Sequence, residues 1–239
     1  MGVTLSRKKA RHPILSIAYK LKKILPFSNE KKLKLFLDLE WIFNRLAHEE
    51  SFKIYPAAEH PARVHSKHFI LSGISNDHYV LDLGCKHGEI SNFIAEKAKE
   101  VIAIDHDYNA ISKAKSTYKK KNLKFETGEA FDYLSNQNLK FDVLILSHIL
   151  EHLDNPEDFL FKFKHFFQFI YIEVPDFQNS YLNEYRFDKN SKLIYTDNDH
   201  VSEFDRAELR ELVQKCGLTI QKEEYRFGVQ KIWCNVVLN

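Results

Sequence analysis

Cysteine, glycine, proline and methionine are all scarce in this 239-residue chain, which has three, seven, six and one of them. The cysteines, Cys85, Cys216 and Cys234, are odd in number and widely spaced. They show no C-x-x-C pair and no Cys/His metal spacing, which argues against a disulfide scaffold or a zinc ribbon. The shortage of glycine excludes glycine-rich disorder. No run of about 18 apolar residues occurs, so no membrane-spanning helix is expected. No signal peptide is visible, and a reducing cytoplasm is the expected compartment. No internal repeat stands out. What is present is a 44% hydrophobic content, enough for a sizeable core in one α/β domain with an appendage.

The charge is unevenly placed. Residues 1–34 hold ten lysines and arginines against one acid, a net +9, while the remainder has twenty-five against thirty-two, a net −7. A basic head on a mildly acidic body suggests an anionic partner. Within it, "PILSIAYKLKKILPF" sets Ile14, Ile17, Ala18, Leu21, Ile24 and Leu25 at helical spacing, interrupted by Lys20, Lys22 and Lys23. That pattern predicts an amphipathic helix within residues 1–26, suited to an anionic membrane surface and poorly suited to nucleic acid, or else packed on the body of the protein. The opening "MGVTLS" also fits the short myristoylation pattern, which arises easily by chance.

Residues 1–55 read as a basic helical extension, with a second helix from Ser28 onward, and Pro61 is placed to open another helix. From residue 56 a separate domain is expected. Short apolar runs ("YVLDL", "VIAID", "LKFET", "FDVLIL", "FIYIEV") alternate with helical stretches, which predicts a parallel sheet with helices on both faces. A helix stopped by Gly217 and two final strands around Phe227 and Gly228 suggest a hairpin closing the sheet edge.

Ligands of such a sheet bind at the carboxyl ends of its strands. That rule selects Gly84–Gly88, Asp105–Tyr108, Thr127–Ala130, Ser147–His152 and Glu173–Asp176. "YVLDLGCKHGEI" lacks the G-x-G-x-x-G dehydrogenase fingerprint. Asp82, an acid inside a strand, needs a partner such as an ammonium group or backbone donors. Asp105 ends a strand about 20 residues past the glycine turn, where an acid can accept from ribose hydroxyls or simply cap the next helix. Tyr108 and Ile111 could wall a flat ring.

In this order and spacing, "VLDLGCKHGEIS", "VIAIDHDYNAI", "FETGEAFDYL", "FDVLILSHILEHLDNP" and "YIEVPD" resemble the class I S-adenosylmethionine-dependent methyltransferases, over about residues 60–239. The resemblance implies a doubly wound, mostly parallel seven-stranded Rossmann-like sheet with an antiparallel C-terminal hairpin. It implies that Gly84, Cys85 and Gly88 approach the methionine part of S-adenosyl-L-methionine, with Asp82 holding the turn or the ammonium. Asp105, with His106 next to it, would bind the ribose, Glu129 and the Ala130 backbone the adenine, and Ser147 and His148 would flank the sulfonium. Where the family most often has glycine, this chain has Lys86, which either points to solvent or lies near the cofactor's carboxylate.

Candidate catalytic bases are His148, His152 and His200, because imidazole titrates near neutrality. His148 and His152, four residues apart, would share a helical face; His152 could instead bond backbone, and His200 could contact a helix N-terminus. Glu151 lies between the first two, but the H-E-x-x-H order and an obvious third ligand are missing, so no metal site is expected. The segment Asp176 to Asp199 carries Phe177, Tyr181, Tyr185, Phe187, Tyr195 and Arg186, suiting a lid over a polar acceptor or satellite packing. Tyr181 and Tyr185 are candidate acceptor contacts. Arg63 could bind the cofactor's carboxylate or an acidic acceptor, or form a surface ion pair. The leading reading is transfer of a methyl group, to oxygen, on a small-molecule or glycan-like acceptor. The alternatives are an RNA or protein methyltransferase docking through its basic head, and a cofactor-binding module without turnover.

Overall fold

The computed structural model describes residues 12–56, 59–136, 141–197 and 199–237. Its core is one seven-stranded sheet: β1 (Tyr79–Leu83), β2 (Glu100–Asp105), β3 (Leu123–Thr127), β4 (Val143–Ser147), β5 (Phe169–Pro175), β6 (Leu218–Arg226) and β7 (Val229–Val236). The order is β3-β2-β1-β4-β5-β7-β6. The first five strands run parallel, and β7 joins β5 and β6 antiparallel. The central strands are apolar on both faces because helices cover both sides. Phe227 and Gly228, with φ of +56° and +75°, supply the two left-handed residues of a tight β6–β7 turn. The chain leaves β1 toward β2 on one side and returns to β4 on the other, so the crevice beyond their carboxyl ends is the topological switch point.

The helices are α1 (Pro13–Ile24), α2 (Asn29–Ile54), α3 (Pro61–Leu71), α4 (Glu89–Ile94), α5 (Tyr108–Thr117), α6 (Ala130–Asn136), α7 (Pro156–Phe163), α8 (Leu182–Asp188) and α9 (Arg206–Lys215). Proline opens α1 and α3, the Ser28 hydroxyl caps α2 by accepting from Lys31 N, and Asp205 and Glu208 close a capping box on α9. Two helices lie outside the expected set: α6, and α8 inside the long segment after β5. The first eleven residues of the basic head fall outside the described residues. Over Pro13–Ile24 the expected amphipathic helix forms, but none of its residues is buried, so its apolar stripe does not pack on the domain.

The segment that follows β5 leans on α2. Arg186, on α8, is 2% exposed. Its Nη2 donates to the Leu37 carbonyl at 2.8 Å and to the Glu40 carboxylate, and its Nη1 donates to Asn183 Oδ1 at 2.8 Å. Further along, Arg45 Nη1 donates to the Thr196 carbonyl at 2.7 Å. Against the sheet, α3 is fixed by Trp233 Nε1, which donates to the Phe69 carbonyl at 3.1 Å, and by Gly73, where any side chain would run into the Trp233 ring.

Arg186→Met should therefore destabilise the protein by about 2–3 kcal/mol in urea unfolding. That is less than the 3–5 kcal/mol typical when a buried charge is orphaned, because Glu40 can regain water. The segment 176–196 of the variant should also be cleaved faster in limited proteolysis. Unchanged stability and cleavage would mean that α2 does not brace this segment.

Candidate active site

The turn after β1 depends on two glycines. Gly84 has φ of +69°, and a side chain on it would collide with Ile149. Gly88 has φ of +80°, and its Cβ would stand 2.5 Å from Phe125 Cε1. Both positions thus need the missing Cβ for conformation and for space. The turn is knitted by the Ile104 carbonyl, which accepts from Gly84 N at 2.8 Å and Cys85 N at 3.2 Å. Lys86 N donates to Asp105 Oδ2 at 2.8 Å. Lys86 itself adopts φ of +46° with its side chain in solvent, which explains why glycine suits this position and how lysine is accommodated. The Cys85 thiol is buried, and burial, reinforced by the Asp82 and Asp105 charges, raises its pKa, so it is no nucleophile.

Asp82 is buried and accepts from Ser91 Oγ at 2.5 Å. Burial drives its pKa up to about 7, the Ser91 bond opposes the shift, and Asp105 adds to it. Asp105 Oδ1 accepts from Asp107 N at 2.9 Å, and each carboxylate oxygen keeps a second lone pair. The His106 ring is exposed, with Nδ1 3.9 Å from Asp105 Oδ1. Gly128 N donates to the Asp105 carbonyl at 3.1 Å, drawing the β3–α6 turn alongside, and there Glu129 is exposed just before Ala130 opens α6. Ile111 is in the core, leaving the exposed Tyr108 as the ring-wall candidate. At the end of β4, Ser147 Oγ is buried without a hydrogen-bond partner among the described residues.

His148 follows in a left-handed conformation, φ +57°, with its N–H donating to the Glu173 carbonyl at 2.8 Å. Its ring lies between two carboxylates: Nδ1 is 2.9 Å from Glu151 Oε1, and Nε2 is 3.5 Å from Glu173 Oε1. Burial alone would lower its pKa, but the bonds to Glu151 and Glu173 outweigh it and push it up to about 10. The expectation of His148 as a neutral-pH base does not fit: both ring nitrogens face acceptors, and the ring is held as a proton donor. Glu173 also accepts from Ser66 Oγ at 3.2 Å and from the Tyr171 hydroxyl, and it stands opposite the buried Lys231 of β7. Burial would raise the Glu173 pKa, but His148, Tyr171 and Lys231 hold it below the usual range.

His148 and His152 do not share a helical face, because the left-handed turn at 148 leads into a 3₁₀ turn over Leu150–His152. His152 points away and meets His200 edge-to-face, ring centroids 4.7 Å apart. The Glu151 carbonyl accepts from Val201 N at 2.9 Å and Ser202 N at 3.2 Å, which docks the His200 loop onto this turn. The third side chain that the sequence did not offer thus comes from 48 residues further on: Glu151, His152 and His200 each bring a ligand atom within 4.8 Å of the other two. Periodicity cannot reveal a neighbour so distant in the chain. Arg63 pairs with Glu89 at 3.8 Å, beside the glycine turn. Tyr181 and Tyr185 are exposed, their rings edge-to-face at 5.9 Å.

A family model described as "Methyltransferase domain" matches residues 34–223. The chain belongs to this family. Its fold is similar to those of solved S-adenosylmethionine-dependent methyltransferases. A structure from Aquifex aeolicus is 15% identical, with 74% of this chain and 94% of the other covered at a TM-score of 0.56. One from Archaeoglobus fulgidus is 17% identical, with 71% and 91% covered at 0.53. Magnesium protoporphyrin IX methyltransferase from Synechocystis PCC 6803, solved with bound SAH, is 15% identical, with 73% and 85% covered at 0.55. No curated protein matches in sequence.

The methyltransferase therefore uses S-adenosylmethionine, and its switch-point crevice fits that cofactor. The turn lacks Cβ atoms at its two tight points, Asp105 has spare lone pairs, and Ser147 offers an unpartnered hydroxyl. The family match begins at residue 34, inside α2, earlier than the resemblance read from the motifs alone.

Asp82 makes a pH prediction for the cofactor-free enzyme. A carboxyl whose pKa rises from 3.8 to about 7 on folding lends stability that is fully present below pH 3.8 and lost as pH climbs through about 7. Asp82→Asn, which can still accept from Ser91, should flatten that decline and raise Tm at pH 8. Equal Tm-against-pH curves for the two proteins would show that Asp82 is ionised in the folded state at no cost.

Proposed function

We propose that this methyltransferase methylates an oxygen of a small polar or glycan-like acceptor. The observation that carries the reading is the His152–His200 pair beyond the end of β4, with the exposed Tyr181–Tyr185 pair on the segment that leads to His200. Mixed aromatic and polar surface suits a hydroxylated ligand, and oxygen nucleophiles need help in shedding a proton.

When bound, the cofactor supplies a methyl group activated on a sulfonium. Asp105 would accept from its ribose hydroxyls while its other lone pairs hold the backbone of Lys86 and Asp107. Gly84 and Gly88 would let the backbone approach closely, Asp82 would face the ammonium, and Arg63 the carboxylate. Glu129, with the Ala130 backbone, would meet the adenine amino group, and His106 would lie at the ribose edge. Ser147 and His148 would line the reacting centre, His148 as a fixed hydrogen-bond donor. The acceptor oxygen would enter beside His152 and His200, whose Nδ1 atoms are engaged by Asp199 and Glu203. As the acceptor oxygen bonds the methyl carbon, the S–C electron pair stays on sulfur and the hydroxyl proton passes to His200, acting as base, and then to solvent.

Incubation with cofactor and a panel of hydroxylated, amino and RNA acceptors tests this. The expected products are SAH and an O-methyl ether identified by NMR. Methylation confined to nitrogen, RNA or protein would overturn the reading. Asp105→Ala should weaken SAH binding by about 1–3 kcal/mol in calorimetry, the cost of a lost charged acceptor. His200→Ala should lower turnover about 10²–10⁴-fold with SAH affinity nearly unchanged.

The same proposal assigns α1 to an anionic bilayer surface. Ile14, Ile17, Leu21 and Ile24 are each more than half exposed, and Lys20, Lys22 and Lys23 lie among them. An interface takes up both the stripe and the lysines, each worth about 1 kcal/mol near anionic lipid. The full chain should sediment with phosphatidylserine-containing vesicles and a chain lacking residues 1–26 should not. Equal sedimentation of the two would exclude lipid docking by this helix.

A further inference from the structure

Two of the three histidines at the mouth have their ring nitrogens assigned by their partners. His152 Nδ1 lies 3.2 Å from the Asp199 carbonyl, which can only accept, so Nδ1 carries the hydrogen and Nε2 a lone pair. His200 Nδ1 lies 2.9 Å from Glu203 Oε1, and that carboxylate also accepts from the Thr196 hydroxyl at 2.8 Å. Imidazoles with Nδ1–H anchored on a carbonyl or carboxylate and Nε2 free have the outer-shell arrangement of metal-bound histidine.

Glu151 supplies an independent observation. It has no solvent exposure, its Oε1 is taken by His148, and its Oε2 has no partner among the described residues. A buried carboxylate oxygen without a donor is costly and rare. A cation among Glu151, His152 and His200 would satisfy it, and one ligand atom of each residue already lies within 4.8 Å of the others. Bonds of about 2.0–2.1 Å to a tetrahedral ion would draw those atoms to roughly 3.3 Å, a matter of side-chain rotation. The backbone there is already fixed by the two bonds from Val201 and Ser202 to the Glu151 carbonyl.

We propose that Glu151, His152 and His200 bind a zinc-class divalent ion with an open position for the acceptor's oxygen. Two imidazoles and one carboxylate favour a borderline transition ion over calcium or magnesium, which prefer all-oxygen shells. The ion lowers the pKa of the hydroxyl it holds, the proton passes to water, and the resulting oxygen anion is the nucleophile. This deepens the oxygen-transfer reading and rests on it. It also gives the lone pairs of His152 and His200 a use other than proton abstraction.

The full-length protein, stripped with a chelator and dialysed, is titrated with ZnCl₂ by calorimetry and with CoCl₂ by visible absorption, and with SAH in parallel. One equivalent of zinc should bind, and cobalt should give the d–d bands of a low-coordinate site. His152→Gln and His200→Gln should each weaken zinc binding about 10–100-fold and leave SAH binding intact. Zinc binding that is absent from the wild type, or equal in the wild type and both variants, would overturn the site while SAH binding upholds the methyltransferase reading. Loss of SAH binding by the wild type would instead strike that underlying reading. Should His200→Gln lose its fold, His152→Gln, at a partly exposed position, decides the question.

Discussion

Two buried carboxylates, Glu151 and Glu173, converge on one imidazole, and the geometry of the crevice follows from that meeting. Neither acid is tolerable in the interior alone. Glu173 is offset by Lys231 across the β5–β7 ladder and by Tyr171 and Ser66, and both acids share His148. To reach both, His148 takes a left-handed backbone that a non-glycine residue adopts only under constraint. The next residue, Ile149, packs where a side chain on Gly84 would stand. The same turn sets the Glu151 carbonyl where it receives the loop carrying His200. A single charge cluster thus connects the cofactor turn on one side to the histidine cluster on the other.

The fold was largely legible because its signals are local. Apolar runs of five or six residues ending in Gly84, Asp105 and Ser147 define parallel strands, and Phe227–Gly228 marks the hairpin. The helices that escaped notice, α6 and α8, are short and lack a long apolar period. α8 is held by Arg186 reaching Leu37 and Glu40, contacts that no local pattern encodes.

At the site, the sequence singled out the strand ends that meet at the topological switch point, because position in a doubly wound sheet is a topological property. The structure gives several of these residues surroundings that their types and spacing did not suggest. His148 looked like a base by residue type, but Glu173, on the neighbouring strand, helps make it a donor. His148 and His152 looked like helical neighbours, but one left-handed residue sends them apart. The partner of His152 is His200, which joins it only once the loop before α9 has folded onto the Glu151 carbonyl.

The two halves of the crevice are built with different stiffness. The half proposed to hold the cofactor is made of backbone: turn amides on Ile104 and Asp105, and glycines packed against Phe125 and Ile149. Its geometry is inherited from the sheet and leaves little freedom. The half proposed to receive the acceptor is made of side chains on a long connection, whose ties include Asp176 to Arg206 at 2.7 Å, Arg186 and Thr196 to α2, and the loop at Val201–Ser202 to Glu151. Between those ties Tyr181, Tyr185 and Phe187 are left exposed. On the proposed reading this division suits a methyltransferase: the sheet would hold the cofactor, and the choice of acceptor would fall to a segment that can change without disturbing it.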